Sequence, residues 1–182
     1  MSIAEQAQQV IPEGTWNVDA VHSSVEFGVL YNGVATMRGA FTDIDATIEV
    51  SDGAAVISGA ARVASVNTKD ENLTGHLQSP DFFDAERFPE LTFRSTEIVA
   101  TEGTFSVPGE ITIKGVTKPI ALAGTFGGVG QDAYGLDRIG LELEGEIDRT
   151  EFGILWNADL PSGGKALADT VTLEAHISAV KA

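Results

Sequence analysis

His22, His76 and His176 are the only imidazoles in this chain, and cysteine is absent. Without thiols there is no thiolate nucleophile, no disulfide framework and no cysteine metal site. No two histidines have helical ligand spacing and no HExxH occurs, so a metal site would need distant strands and none is expected. Serines and carboxylates are present, yet no GxSxG elbow accompanies them, and no catalytic set is assigned. His22-Ser23-Ser24 and His76 each sit beside an apolar element, where they either fix a loop or touch the polar head of a ligand. Asp84 is a third polar candidate of this kind. His176 falls on the outward parity of the last strand and reads as a surface residue. Gly124 to Gly130 is glycine-rich but has neither the helix nor the lysine of a phosphate loop, so a hairpin connection is expected. Asn72-Leu73-Thr74 matches a glycosylation acceptor by accident.

These candidates are organised by the stretch from Ser65 to Thr96, whose signals are helical while its surroundings read as strand. Thr68 with Glu71 forms a capping-box pattern, and Ser79-Pro80 places a capping hydroxyl before a proline suited to a first helical position. A short helical insertion is therefore expected around residues 68–86. It delivers Phe82, Phe83 and Phe88 close together, either as the cap of a core or as the lid of a cavity.

The chain has 182 residues and a net charge of -16, with only 11 Lys and Arg. That balance excludes a phosphate-binding surface for nucleic acid and electrostatic docking on anionic lipid. No apolar run approaches a membrane-spanning length, so no stable membrane insertion is expected. The first residues lack the features of a secretory signal, which leads to an expected cytoplasmic location. Residues 1–13 read as a flexible arm and residues 14–182 as one domain.

Within that domain, period-two alternation dominates. Val25, Phe27, Val29 and Tyr31 share a face. Asn32-Gly33 then marks a tight hairpin, since both residues accept positive φ. The strand from about Val34 to Val50 switches parity between Phe41 and Ile44, so a bulge is expected near Thr42-Asp43. Further strands are expected at 54–66, 90–100, 104–114, 116–126, 134–148 and 170–180. About eight one-sided strands pack as two sheets or close into a barrel, and small inward residues such as Ala35, Gly109 and Gly145 favour an open lumen.

Several segments together resemble the YceI-like polyisoprenoid-binding proteins, over nearly the whole chain from Gly14. They are Trp16-Asn17-Val18-Asp19 with His22-Ser23 and Phe27; Ser65 to Thr68; His76-Leu77-Gln78-Ser79 with Asp81-Phe82-Phe83-Asp84; Phe88-Pro89; and Phe93 to Thr96. Gly109 to Pro119 and Asp148-Arg149-Thr150-Glu151-Phe152-Gly153 continue the likeness. The resemblance implies an all-β fold, an eight-stranded antiparallel lipocalin-like β-barrel, dimeric in many members, whose lumen takes a long isoprenoid. Tyr31 stands where relatives often have histidine, and Leu73-Thr74-Gly75 where they have an Arg-Asp pair, so contacts near the head group differ.

A slender hydrocarbon gains about 0.8 kcal/mol per buried CH₂, so a long chain can bind with few polar contacts. The expected lumen residues are Phe27, Val29, Phe41, Phe93, Phe105, Ile111, Ile113 and Leu122, with Phe82, Phe83 and Phe88 at one mouth. Tyr31, His22, His76 and Asp84 are the polar candidates. The expected function is non-catalytic binding, storage or transport of a polyisoprenoid or isoprenoid quinone, without a cofactor and with a homodimer as the assembly. The alternatives are an enzyme using Tyr31, His22 and Asp84 on a bound lipid, a binder of fatty-acyl or amide lipids, and a packed structural barrel.

Overall fold

Asn32 and Gly33 adopt φ of 53° and 71°, as the hairpin requires. They join β2 (Ser24–Tyr31) to β3 (Ala35–Phe41), in register from Tyr31 opposite Ala35 to Val25 opposite Phe41. The chain breaks at Thr42-Asp43 before β4 (Ile44–Ser51), and this break lets both Phe41 and Ile44 point inward, at 4% and 7% exposure. A computed structural model describes residues 11–101 and 104–182. The remaining elements are β1 (Gly14–Val18), β5 (Ala54–Arg62), β6 (Val66–Asn67), α1 (Glu71–Gln78), β7 (Glu90–Ser95), β8 (Val99–Thr101), β9 (Thr104–Ile113), β10 (Val116–Gln131), β11 (Asp137–Asp148) and β12 (Leu167–Lys181).

These strands close into one antiparallel barrel. β1 and β2 are two segments of one bent stave, both laid along β12. β3 and β4 form a second, since β3 pairs β2 and β4 pairs β1. β5 and β6 form a third, on β4 and β3 respectively. With β7, β9, β10, β11 and β12 the ring has eight staves and closes where β1 meets β12, leaving no long free edge among the described residues.

Several expected boundaries move. The strand expected over 54–66 stops at Arg62, where a 3-10 turn over Val63–Ser65 carries the chain to β6. The one expected over 90–100 divides into β7 and β8. β10 runs on to Gln131 through the glycine-rich stretch, which is therefore strand with a register shift between Phe126 and Gly128. The helix starts at Asp70 rather than Thr68: the Asp70 carboxylate accepts the Leu73 amide at 2.8 Å, while the Thr68 hydroxyl donates to the Asp70 carbonyl. Ser79 closes this helix, and residues 80–87 are turns instead of a second helix. Residues 11–13 belong to the folded body rather than to a loose arm. Ile11 is 2% exposed, and Trp16 Nε1 donates to the Pro12 carbonyl at 2.9 Å. The rest of that expected arm lies outside the described residues.

The interior has two layers. At one end Trp16, Val107, Ile139 and Ala179 pack with Ile11, Val50 and Phe105 into a solid plug. Phe105 can lie flat because its direct cross-strand partner is Gly124. At the other end Phe27, Val29, Phe41, Leu77, Phe82 and Ile154 surround open space.

Candidate functional site: a carbon-lined lumen under a helical lid

Each stave offers alternate side chains to the barrel axis, so a sequence with apolar inward positions builds an apolar tube. Here the tube encloses a cavity of about 200 Å³ whose surface is almost wholly carbon. Of the residues expected there, Phe27, Val29, Phe41, Phe93, Ile111, Ile113 and Leu122 line it, and so do Phe82 and Phe83. Phe105 does not, because it belongs to the plug beneath.

Two irregular segments cover the mouth. The first is α1 with the turns that follow it, which put Leu77, Phe82 and Phe83 onto the cavity. Phe83 meets Phe27 and Phe41 edge-on, with ring centroids 5.9 and 5.5 Å apart. Lys114 ties this segment to the barrel rim by donating to the Pro80 carbonyl at 2.7 Å. The second segment is the loop between Phe152 and Leu167, represented in the cavity wall by Ile154. His76 joins the two covers, with its ring perpendicular to Phe82 at 4.9 Å and to Trp156 at 4.8 Å.

Arg149, which sequence reasoning did not single out, holds the second cover. It is 4% exposed, and its Nε donates to the Ala168 carbonyl at 2.9 Å. Its Nη1 donates to the carbonyls of Ile154 and Trp156 at 2.8 and 2.9 Å. A buried guanidinium has to be satisfied in this way, and here it satisfies loop carbonyls in return. Its only signal in the sequence was its place in the Asp148 to Gly153 stretch.

The polar candidates do not gather at the cavity. His22 Nδ1 pairs with Asp19 at 2.7 Å near the plugged end, with its side chain 66% exposed. That hydrogen bond, with one from Arg138 at 2.9 Å, lowers the Asp19 carboxyl to about 2. His76 Nε2 faces Asp81 at 3.0 Å and does not line the lumen. Asp84 is buried in a left-handed turn with φ of 53° and lies 3.6 Å from Arg87. Tyr31 is 48% exposed at the hairpin. His22 and Tyr31 flank opposite ends of β2, about 20 Å apart at about 3.3 Å per residue, so the set that would act on a bound lipid is not assembled. Phe88, expected at the mouth, lies outside it, packed on Gly115 beneath the Arg87 guanidinium.

The lining residues that sequence reasoning missed include Leu141, Leu143, Ile147, Ile154, Leu167, Val171 and Leu173 from β11, β12 and the second cover, and Val25, Met37, Ile44, Ile48, Ile57 and Leu91 from β2, β3, β4, β5 and β7. Those on the strands were visible as one parity of each strand but were not assigned to the lumen. On the outer face, His176 meets Glu142 and has Glu174 at 3.8 Å. Ligating atoms of Glu26, Glu174 and His176 lie within 4.8 Å of one another. Spacing along the chain could not show this group, because β2 and β12 assemble it.

A model of the YceI-like domain matches residues 16–179. The chain is 32% identical over 136 residues to Protein YceI of Escherichia coli O17:K52:H18, covering 73% of this chain and 71% of that protein. In three dimensions it is similar to BcnA of Burkholderia cenocepacia, with a TM-score of 0.73 at 23% identity over 88% of this chain and 98% of that one. It is also similar to a polyisoprenoid binding domain from Saccharophagus degradans, with a TM-score of 0.68 at 14% identity over 92% of this chain and 98% of that one.

Proposed function

The chain belongs to the YceI-like domain family, and from that premise we propose that it is a non-catalytic binder that stores or carries a polyisoprenoid or isoprenoid quinone. The observation that supports this reading is the carbon-lined cavity beneath an aromatic cover. Burying a hydrocarbon there removes apolar surface from water on both partners, at about 0.8 kcal/mol per CH₂. A structural relative described as a polyisoprenoid binding domain points the same way. Hydrolysis or group transfer would need a base or nucleophile at the bound chain; His22, Tyr31 and Asp84 do not line the cavity, and the polar residues that border it, Glu26, Asp45, Thr92, Arg149 and Glu174, present it with almost no polar surface. A homodimer and a cytoplasmic location belong to the same proposal, checked by intact mass under native conditions and by cell fractionation.

The test is a titration of delipidated protein with geranylgeraniol, comparing wild type with Ile113→Trp. Ile113 is 3% exposed and lines the cavity, so an indole there obstructs it. Uptake should be abolished while the β-sheet circular dichroism stays as it was. Equal uptake by the two proteins would refute binding in the lumen.

A further inference from the structure

The two ends of the lumen are unlike. Trp16, Phe105, Val107 and Ala179 fill one end at 6% exposure or less, and none of them lines the cavity. Phe105 lies against Gly124, where an added Cβ would stand 2.7 Å from its Cδ2 and Cζ, so the ring already sits as close to the wall as the backbone allows. The layer above the plug is Phe93, Leu122, Ala175 and Ile177, all of which line the cavity and pack on the plug below. The opposite end is covered by two irregular segments that meet through rings, Trp156 against His76 and Phe82. Lifting the first cover from that end parts ring contacts and the Lys114 hydrogen bond to the Pro80 carbonyl, whereas opening the plugged end would break ladder hydrogen bonds and expose core.

We infer that the lumen is a blind slot filled tail first from beneath the lid, and that the layer of Phe93, Leu122 and Ala175 sets the length of hydrocarbon it can bury. This rests on the lipid-binding reading above. The slot presents almost no polar surface to a hydroxyl, phosphate or quinone carbonyl, the bordering Thr92 and Arg149 included, so the polar end of the ligand stays at the mouth. The lining stretch of β12 from Leu167 to Ile177, shortened by the irregularity between Leu167 and Val171, spans about 26 Å at about 3.3 Å per residue, and barrel tilt shortens the axial depth to about 20 Å. Affinity therefore rises with each added isoprene until the slot is full. Units beyond that stay outside and add nothing.

The experiment titrates delipidated wild type, Ala175→Leu and Phe93→Ala with single-length prenyl alcohols, from farnesol through geranylgeraniol to solanesol. Ala175→Leu raises the floor into open space and should bring the plateau in at a shorter chain. Phe93→Ala lowers it and should delay the plateau. At the longest chain the wild type buries, Ala175→Leu should weaken binding about fourfold to fifteenfold, the equivalent of one or two methylenes, and leave farnesol within about threefold. Should Phe93→Ala fail to fold, Ala175→Leu alone decides the question. Affinity that keeps climbing with length in the wild type, or a plateau unmoved by Ala175→Leu, overturns the blind slot. A wild type that binds none of the alcohols overturns the lipid-binding reading itself.

Discussion

Gly39 is the most economical place to narrow the lumen. It pairs directly with Phe27 across β2 and β3, and an added Cβ would stand 2.8 Å from Phe27 Cε1 and closer still to Cζ. Only that ring is in the way, and Gly39 does not have positive φ, so alanine is otherwise acceptable there. To regain a carbon-carbon separation of about 3.5 Å the ring tip must retreat by about 1 Å, and the free direction is the cavity that Phe27 lines. The stability terms oppose one another. Crowding costs about 1–3 kcal/mol, and replacing a strand glycine returns about 0.5–1 kcal/mol. Gly39→Ala should therefore fold, with a net loss of no more than about 2.5 kcal/mol. Losing contact with one or two methylenes of ligand costs about 0.8–1.6 kcal/mol, a fourfold to fifteenfold weaker Kd. The assay is titration with geranylgeraniol, with urea denaturation alongside. Adding Phe27→Leu to Gly39→Ala should restore most of the affinity by shortening the displaced side chain. Unchanged affinity in Gly39→Ala, or no recovery in the double variant, would refute the reasoning.

Arg149→Met should cost about 2–4 kcal/mol in chemical denaturation, because it strands two loop carbonyls and one on β12 that now accept from one guanidinium. Its loop should also become more sensitive to limited proteolysis. Asp70→Ala should lose about 1 kcal/mol through the Leu73 cap and release hydrogen-exchange protection in α1 before the barrel. The Asp19 carboxyl, lowered to about 2 by His22 and then by Arg138, is depressed relative to the unfolded chain. Its contribution is therefore present above about pH 4 and lost as pH falls toward about 2. Asp132, held low by Arg138, acts in the same direction. In urea titrations across that range, Arg138→Gln should flatten the loss of stability.

The strands were legible because inward and outward residues alternate, and the break at Thr42-Asp43 was legible because that alternation changes parity. Boundaries inside the cover were not. Thr68 and Ser79 both fit helix-start patterns, and only the competition between nearby hydroxyls and the Asp70 carboxylate decides which residue caps. Phe105 and Phe93 both belong to inward-facing sets on their strands, so parity cannot tell plug from lumen; their height along the barrel axis does, and register sets that height. Arg149 escaped notice because its short hydrogen bonds go to backbone carbonyls, of Ile154 and Trp156 in the loop and Ala168 at the start of β12, which side-chain patterns do not display.

The most direct test is native mass spectrometry of the protein as purified, followed by organic extraction and identification of what is released. A bound species whose extract contains a long isoprenoid chain, lost in Ile113→Trp, is the expected result. A ligand-free mass that stays ligand-free after incubation with prenyl alcohols would contradict the claim that this barrel is a container for lipid.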